Sequence, residues 1–368
     1  DHKDLDGGKL KEVTIITDND IEISQGAFQR DANLETISIK SKTTTIGKNS
    51  FRNCTNLKNV NITKNADVTG TGDVSIRESA FEKCESLETF NFGDVTKIEA
   101  YAFKSCTSLN NVQFGDKLKS MGAAAFAYCE NFPSEITLPK NFQSIGIVPF
   151  LGCEKLKAIN VNEENSLFTS MDGVLVGIME NWHDGKDKVE IKVYPEGKDD
   201  ITIYKVPTEI TDVAIGAFAS NQLTSIEIQN PNGTNGLVTV DGAIYSGDDS
   251  EMKLLAYPGN AVNAILDSRT ISVESYALYG IKAHIIRIPG AKDIKNWGIV
   301  HWIGNLKDEN PIIYYYGKLS DGGAKISGVY LEDNVTVYCV KSDTNTDKSI
   351  LGDAKIKYMI NGENRCFK

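Results

Sequence analysis

The chain has 368 residues, a formal net charge of -11 from 39 basic and 50 acidic side chains, and 40% hydrophobic residues. One compact core of that length is unusually large, which favours several domains or one elongated repeat array. The acidic balance offers no basic stripe for a phosphate backbone and argues against nucleic acid as a partner, while no stretch approaches the ~18 apolar residues of a membrane helix.

The chain opens on "DHKDLDGGKL", with neither a methionine nor an apolar signal region, as a mature or trimmed chain would. Leu10, Val13 and Ile15 then match only the strand half of a pattern that the following residues complete. The chain therefore begins inside a repeat, implying that upstream residues were removed or serve as a cap.

The complete pattern places an apolar residue five positions before a phenylalanine, a cysteine three after it and a leucine six after it. Two further apolar residues follow at nine and eleven. Ile23, Phe28, Leu34, Ile37 and Ile39 give the first copy, with Asp31 in the cysteine slot. Ile46, Phe51, Cys54, Leu57, Val60 and Ile62 give the second, and Ile76, Phe81, Cys84, Leu87, Phe90 and Phe92 the third. Copies at Phe103, Phe126 and Phe150 follow with Cys106, Cys129 and Cys153, the fifth carrying one inserted residue before Ile136. The phenylalanine spacings are 23, 30, 22, 23 and 24 residues, the period of a leucine-rich repeat.

The alternation of Leu57, Val60 and Ile62 predicts a short strand with one buried face. The "A-F-x-x-C-x-x-L" half predicts a turn or short helix that inserts its phenylalanine between layers. A single unit cannot bury that face alone, so stacking supplies the core.

Later copies are weaker. Val213, Phe218, Leu223, Ile226 and Ile228 form one, Val273, Leu278, Ala283, Ile286 and Ile288 another, and Ile294, Ile299 and Trp302 start a degenerate ninth. Between them, "MDGVLV" with "KVYPEG" and "VDGAIY" with "LAYPGN" predict β-hairpin insertions at about residues 162–208 and 236–268. From residue 311, "PIIYYYG", "VTVYCV" and "AKIKYMI" predict a strand-rich C-terminal cap. The expected architecture is an α/β solenoid, β-rich, of about eight repeats over residues 1–310, closed by a cap over 311–368.

Little in the chain invites catalysis. Seven cysteines form no CxxC pair or Cys/His metal spacing. The ladder cysteines Cys54, Cys84, Cys106, Cys129 and Cys153 read as small buried hydrophobes. Cys339 and Cys366 lie outside the template: in an exported chain they form a disulfide that clips the tail, or else they are two free thiols. His2, His183, His284 and His301 are scattered, without a HExxH helix or nucleophile elbow. Asp343, Asn345 and Asp347 alternate like calcium ligands, but Lys348 replaces the sharp-turn glycine and Ala354 the bidentate glutamate. The glycines of "GTG" at 70–72 lack a third in register for a phosphate loop. Trp297, Trp302, Tyr314, Tyr315 and Tyr316 read as side chains closing the last layer. No catalytic residue, metal site or cofactor is expected.

The candidate binding face is the one that strand alternation turns outward. Rung by rung it holds Thr36 and Ser38, Asn59 and Asn61, Thr89 and Asn91, Asn111 and Gln113, Glu135 and Thr137, Ala158 and Asn160, and Ser225 and Glu227. In a chain with 24% charged residues this face is nearly uncharged. Its amides and hydroxyls either bond one another as ladders or engage a polypeptide or glycan. The residues expected to bind are Asn59, Asn61, Thr89, Asn91, Asn111, Gln113, Thr137 and Asn160. The face has no aromatic platform, which favours a protein over a tightly stacked sugar.

"SIRESAFEKCESLETFNF" and its copies, together with "DGVLV…VYPEG…VP", resemble the BspA-like, or Treponema pallidum type, leucine-rich repeat proteins over roughly residues 10–290. The resemblance implies a bacterial surface or secreted protein, often a lipoprotein anchored upstream, that binds host matrix proteins or other cells. It brings no catalytic residues. The resulting expectation is a non-catalytic interaction module. Its rivals are a spacer for a neighbouring domain and, from another class, a hydrolase or glycan-processing site in the insertions and tail.

Overall fold

The computed structural model describes residues 10–66, 69, 71–182, 186–229, 236–248, 250–288, 312–318, 336–340 and 355–359. The chain divides into two compact units, residues 1–187 with 193–198, and residues 188–192 with 199–368. The expected start of a ninth repeat, the calcium-like run, Trp297, Trp302, Cys366, His2, His183 and His301 lie outside the described residues.

In the first unit each repeat supplies two strands. The "L-x-x-V-x-I" strands Glu12–Ile16, Thr36–Ser41, Asn59–Lys64 and Thr89–Phe90 form one parallel sheet in that order. Its register stacks Val13, Ile37, Val60 and Phe90 on the buried side. Glu135–Leu138 and Ala158–Val161 form a separate parallel pair. A second parallel sheet runs Asp20–Ile23, Thr43–Ile46, Val74–Ile76, Val95–Ile98, Ser120–Met121 and Ser144–Ile145. Ile23, Ile46, Ile76, Ile98 and Met121 close the core from that side.

The segment around each phenylalanine is a turn, and no helix occurs among the described residues. Among the described residues the α/β expectation is thus corrected to a β-solenoid without helix, of about eleven turns in place of the expected eight repeats. The cause lies in the backbone. Residues two before and two after each phenylalanine are left-handed: Asn49 and Asn53 (φ 56° and 62°), Ser79 and Lys83 (54° and 62°), Tyr101 and Ser105 (59° and 61°), Ala124 and Tyr128 (50° and 61°). Two such residues per turn prevent helical propagation. They aim N–H groups at the next rung instead: Phe51 donates to Ala80 O, Phe81 to Ala102 O and Phe103 to Ala125 O, each at 2.8 Å.

Inside the turns the phenylalanines form a column. Phe28, Phe51, Phe81, Phe103 and Phe126 stack at centroid separations of 5.1, 5.2, 5.2 and 5.2 Å with interplanar angles of 10° or less. Beside it each cysteine thiol donates to the phenylalanine carbonyl one turn back: Cys54 to Phe28 at 3.0 Å, Cys84 to Phe51 at 3.1 Å, Cys106 to Phe81 and Cys129 to Phe103 at 3.2 Å, Cys153 to Phe126 at 3.1 Å. All five are buried and free of disulfides. Asp31, which has the cysteine position in the first turn, instead accepts the Asn33 N–H.

The Asp-Gly pairs make antiparallel hairpins. Phe168–Met171 pairs with Val174–Trp182 around Asp172 and Gly173, both left-handed at φ 51° and 77°. The Gly173 carbonyl accepts the Ile159 N–H at 2.8 Å, so the hairpin turn closes the edge of strand Ala158–Val161. In the second unit Leu237–Val240, Ala243–Gly247 and Met252–Ala256 form an antiparallel meander, and Gly242 accepts the Ile226 N–H at 2.7 Å.

The "YP" segments that follow are turns of the solenoid in their own right. Tyr257 donates its N–H to Ala277 O at 2.9 Å, the bond a phenylalanine makes in a regular turn, and Asn260 donates to Leu223 O at 2.8 Å. In the first unit Gly197 donates to Leu156 O at 2.9 Å, and the Glu196 carboxylate accepts the Gly152 N–H at 2.7 Å. Asn221 takes the cysteine slot of the Phe218 turn, donating to Phe218 O and Tyr257 O and accepting from Leu223 and Gly259. Strand pairing stays parallel to the end: Asn263–Ile265, Ile285–Ile288, Ile312–Lys318, Thr336–Val340 and Lys355–Met359 form one five-stranded sheet, the last three drawn from the predicted cap.

Candidate functional site

Alternation along the first sheet puts apolar side chains inward and the intervening polar ones outward: Val60 and Ile62 are buried while Asn59 and Asn61 are exposed. Register then sets Glu12, Thr36, Asn59 and Thr89 in one row, extended to Asn111 by an isolated bridge, with Thr14, Ser38 and Asn61 in the row beside it. Asn59, Asn61, Thr89, Asn91, Asn111, Gln113 and Thr137 are exposed.

The rows are tied internally. Thr89 Oγ1 donates to Asn59 Oδ1 at 2.8 Å, Asn91 Nδ2 donates to Asn61 Oδ1 at 3.4 Å, and Asn91 Oδ1 accepts the Gly93 N–H at 2.9 Å. These bonds fix rotamers without covering the groups, because each amide and hydroxyl keeps lone pairs or protons facing solvent. Charge stays at the margin, where Lys11 and Glu35 pair at 2.7 Å; the hydrogen bond from Lys11 holds the Glu35 carboxyl below its ordinary range.

The eight residues expected to bind fall into two groups. Asn59, Asn61, Thr89, Asn91 and Asn111 share one continuous sheet surface. Thr137 and Asn160 pair with each other in the separate two-stranded sheet, beyond Gln113. Pro133 lies in the lengthened segment that interrupts pairing, and a residue without an N–H cannot continue a ladder. Asn160 is half-buried, and neighbouring Ala158 lies under the Gly173 hairpin turn, where a Cβ on the glycine would meet Ala158 Cβ at 3.0 Å. The polar strip therefore ends at the first hairpin.

The second sheet carries a shallow hollow of about 420 Å³ over Lys97, Glu99, Ser120, Gly122 and Ser144. Its charges are committed to each other: Glu99 accepts from Arg77 and Lys97 at 2.9 Å and from the Glu78 N–H at 3.1 Å. Burial raises the Glu99 carboxyl, but the Lys97 and Arg77 bonds outweigh it and leave the group below its ordinary pKa. No group of three or more potential metal ligands is gathered among the described residues. Among the ladder thiols, burial pushes Cys84, Cys106 and Cys153 well above the usual thiol range, so they remain protonated and unreactive.

A family model described as a BspA type leucine-rich repeat region matches residues 6–72 and 74–171 in six copies. No curated protein matches the sequence. Among solved structures, a leucine-rich repeat protein from Eubacterium ventriosum is 17% identical with a TM-score of 0.57, over 95% of this chain and 92% of its own. The pneumococcal vaccine antigen PcpA is 19% identical with a TM-score of 0.52, over 97% and 91%. A leucine rich cell surface protein from Faecalibacterium prausnitzii is 17% identical with a TM-score of 0.47, over 95% and 88%. At such identities likeness to the first two speaks for the fold, and the six repeat copies speak for residues 6–171. Residues 6–72 and 74–171, with their stacked phenylalanines and cysteine ladder, are thus the part of the chain that matches the BspA type leucine-rich repeat region.

Proposed function

We propose that the chain is a non-catalytic interaction module of a bacterial cell surface, either anchored through a lipid upstream or secreted, that binds an extracellular protein through the polar strip of its first unit. The observation that carries this reading is the uncharged row of exposed amides and hydroxyls from Asn59 to Asn111, set on a rigid parallel sheet in a strongly acidic chain. The row's three rungs at about 4.8 Å, with Thr36 one rung further, give a strip of roughly 10–14 Å. Its side chains are already ordered by their neighbours, so association costs little conformational entropy on this side. A flat or extended polypeptide supplies the complementary carbonyls and N–H groups.

The test is binding of the chain to immobilised extracellular-matrix proteins, with Asn61, Asn91 and Gln113 replaced together by alanine. Binding by the parent that drops at least tenfold in the triple variant, with an unchanged melting temperature, supports the reading. Equal binding moves the site off the strip. A variant that loses stability as well as binding makes the row a structural ladder and the array a spacer.

A further inference from the structure

The turn side of the first unit lines up residues that the sequence holds far apart. Two positions after each phenylalanine stand Arg30, Asn53, Lys83, Ser105 and Tyr128, and their N–H groups bond to the next rung, Arg30 to Arg52 O, Asn53 to Glu82 O, Lys83 to Lys104 O and Ser105 to Ala127 O, each at 2.8 Å. The fold thereby brings Arg30 and Lys83 onto one line, with Lys104 bonded through its carbonyl to the Lys83 N–H. Arg52 is neutralised by Glu82 at 3.1 Å and Lys48 by Glu78 at 2.9 Å. Arg30, Lys83 and Lys104 form no ion pair among the described residues, and Arg30 and Lys83 are exposed.

The strip ends in two aromatic platforms. Lys104 Nζ lies 5.5 Å from the Tyr101 ring centroid and 5.7 Å from that of Tyr128, whose residues are 41% and 38% exposed. Both tyrosines have left-handed backbones, at φ 59° and 61°. Elsewhere the same two slots hold Gly26, Gly152 and Gly216, which take this conformation freely, but also side-chain-bearing residues such as Arg30, Ser79, Lys83 and Val148. Neither tyrosine belongs to the buried core. The Tyr128 ring is nevertheless held in place over Gly152, where any Cβ would approach its Cδ1 to 2.6 Å.

We propose that this strip binds an acidic, uronate-bearing polysaccharide. Carboxylates spaced along the chain meet Arg30, Lys83 and Lys104, and sugar C–H faces stack on Tyr101 and Tyr128. Glu85 and Glu130, both exposed and four positions after their phenylalanines, border the strip and confine an anionic chain to the cationic line. The site is distinct from the polar strand face, which has no aromatic platform.

Calorimetric titration of the full chain with hyaluronan and polygalacturonate, against neutral dextran and polyglutamate, tests the proposal. The expected result is binding of a uronate polymer that weakens with added salt, none of dextran, and polyglutamate at least about tenfold weaker because it lacks a stacking face. Tyr101→Gly with Tyr128→Gly is expected to lower uronate affinity at least about tenfold while keeping or raising the melting temperature, since glycine relieves the left-handed backbone. Lys83→Gln with Lys104→Gln should weaken binding and flatten its salt dependence. Failure of both uronate polymers to bind, equal affinity for polyglutamate, or full affinity in the glycine variant overturns the proposal.

Discussion

Phe103→Ala removes the middle ring of the stacked column. Phe103 is fully buried and meets Phe81 and Phe126 at 5.2 Å, Phe90 at 5.0 Å and Phe92 at 5.3 Å. Truncating a buried phenylalanine costs about 3–5 kcal/mol, and a site with four aromatic neighbours, each pair contributing about 0.5–1.5 kcal/mol beyond area, belongs at the upper end, near 5 kcal/mol. Because each turn touches only its neighbours, the loss falls on the two interfaces flanking the Phe103 turn. Guanidinium unfolding followed by circular dichroism should show a lowered first transition. Amide exchange should quicken between Phe81 and Phe126 while strand Thr36–Ser41 keeps its protection. Phe103→Leu, which retains most of the volume, is expected to cost about 1–1.5 kcal/mol. A loss below about 1 kcal/mol for the alanine variant, or protection falling evenly through the unit, would refute the column as a chain of nearest-neighbour contacts.

Three further outcomes are expected. Gly197→Ala drives a Cβ into the Glu154 carbonyl; a destabilisation of about 1–3 kcal/mol should appear in thermal melts, and a neutral result would show that the "YPEG" turn does not pack as described. Burial pushes the Tyr245 hydroxyl up to about 12. A phenol whose folded pKa is raised contributes stability that is complete below its unfolded value near 10 and is lost as pH rises toward 12, so Tyr245→Phe should flatten the alkaline limb of stability over that window. Iodoacetamide should leave Cys54, Cys84, Cys106, Cys129 and Cys153 unmodified in native protein and alkylate all five in guanidinium, as mass spectrometry of digests reports; native labelling of any of them would contradict the closed ladder.

The "L-x-x-V-x-I" half is legible because strand alternation has a period of two and survives in every copy, so the buried row and the polar row could both be assigned from spacing. The other half misleads. Phe81, Cys84 and Leu87 recur at three-residue intervals, which a short helix shares, and the left-handed residues that forbid one are Ser79 and Lys83, not glycines that would announce themselves. The strands of the second sheet are two to four residues long, too short to show a period. Two turns escaped because their phenylalanine slots hold Tyr194 and Tyr257 and no cysteine follows. The outward direction of Asn59 and Asn91 could be read; the break after Asn111 and the hairpin over Ala158 could not, because both depend on which backbone groups bond between rungs. The alignment of Arg30, Lys83 and Lys104 was equally hidden, since no local window contains two successive rungs.

Each phenylalanine carbonyl in the column accepts twice, from the N–H three residues on in its own turn and from the thiol of the next turn, as Phe81 does with Cys84 at 3.1 Å and Cys106 at 3.2 Å. A thiol so engaged is shielded only while its neighbour stays docked. Outside a reducing compartment, a stretch of the array pulled or heated open presents to oxidants cysteines spaced 30, 22, 23 and 24 residues apart, and oxidation joins as disulfides thiols that the closed stack keeps buried and free. Opening is then recorded covalently, and the column acts as a fuse that marks every molecule in which it has once been broken.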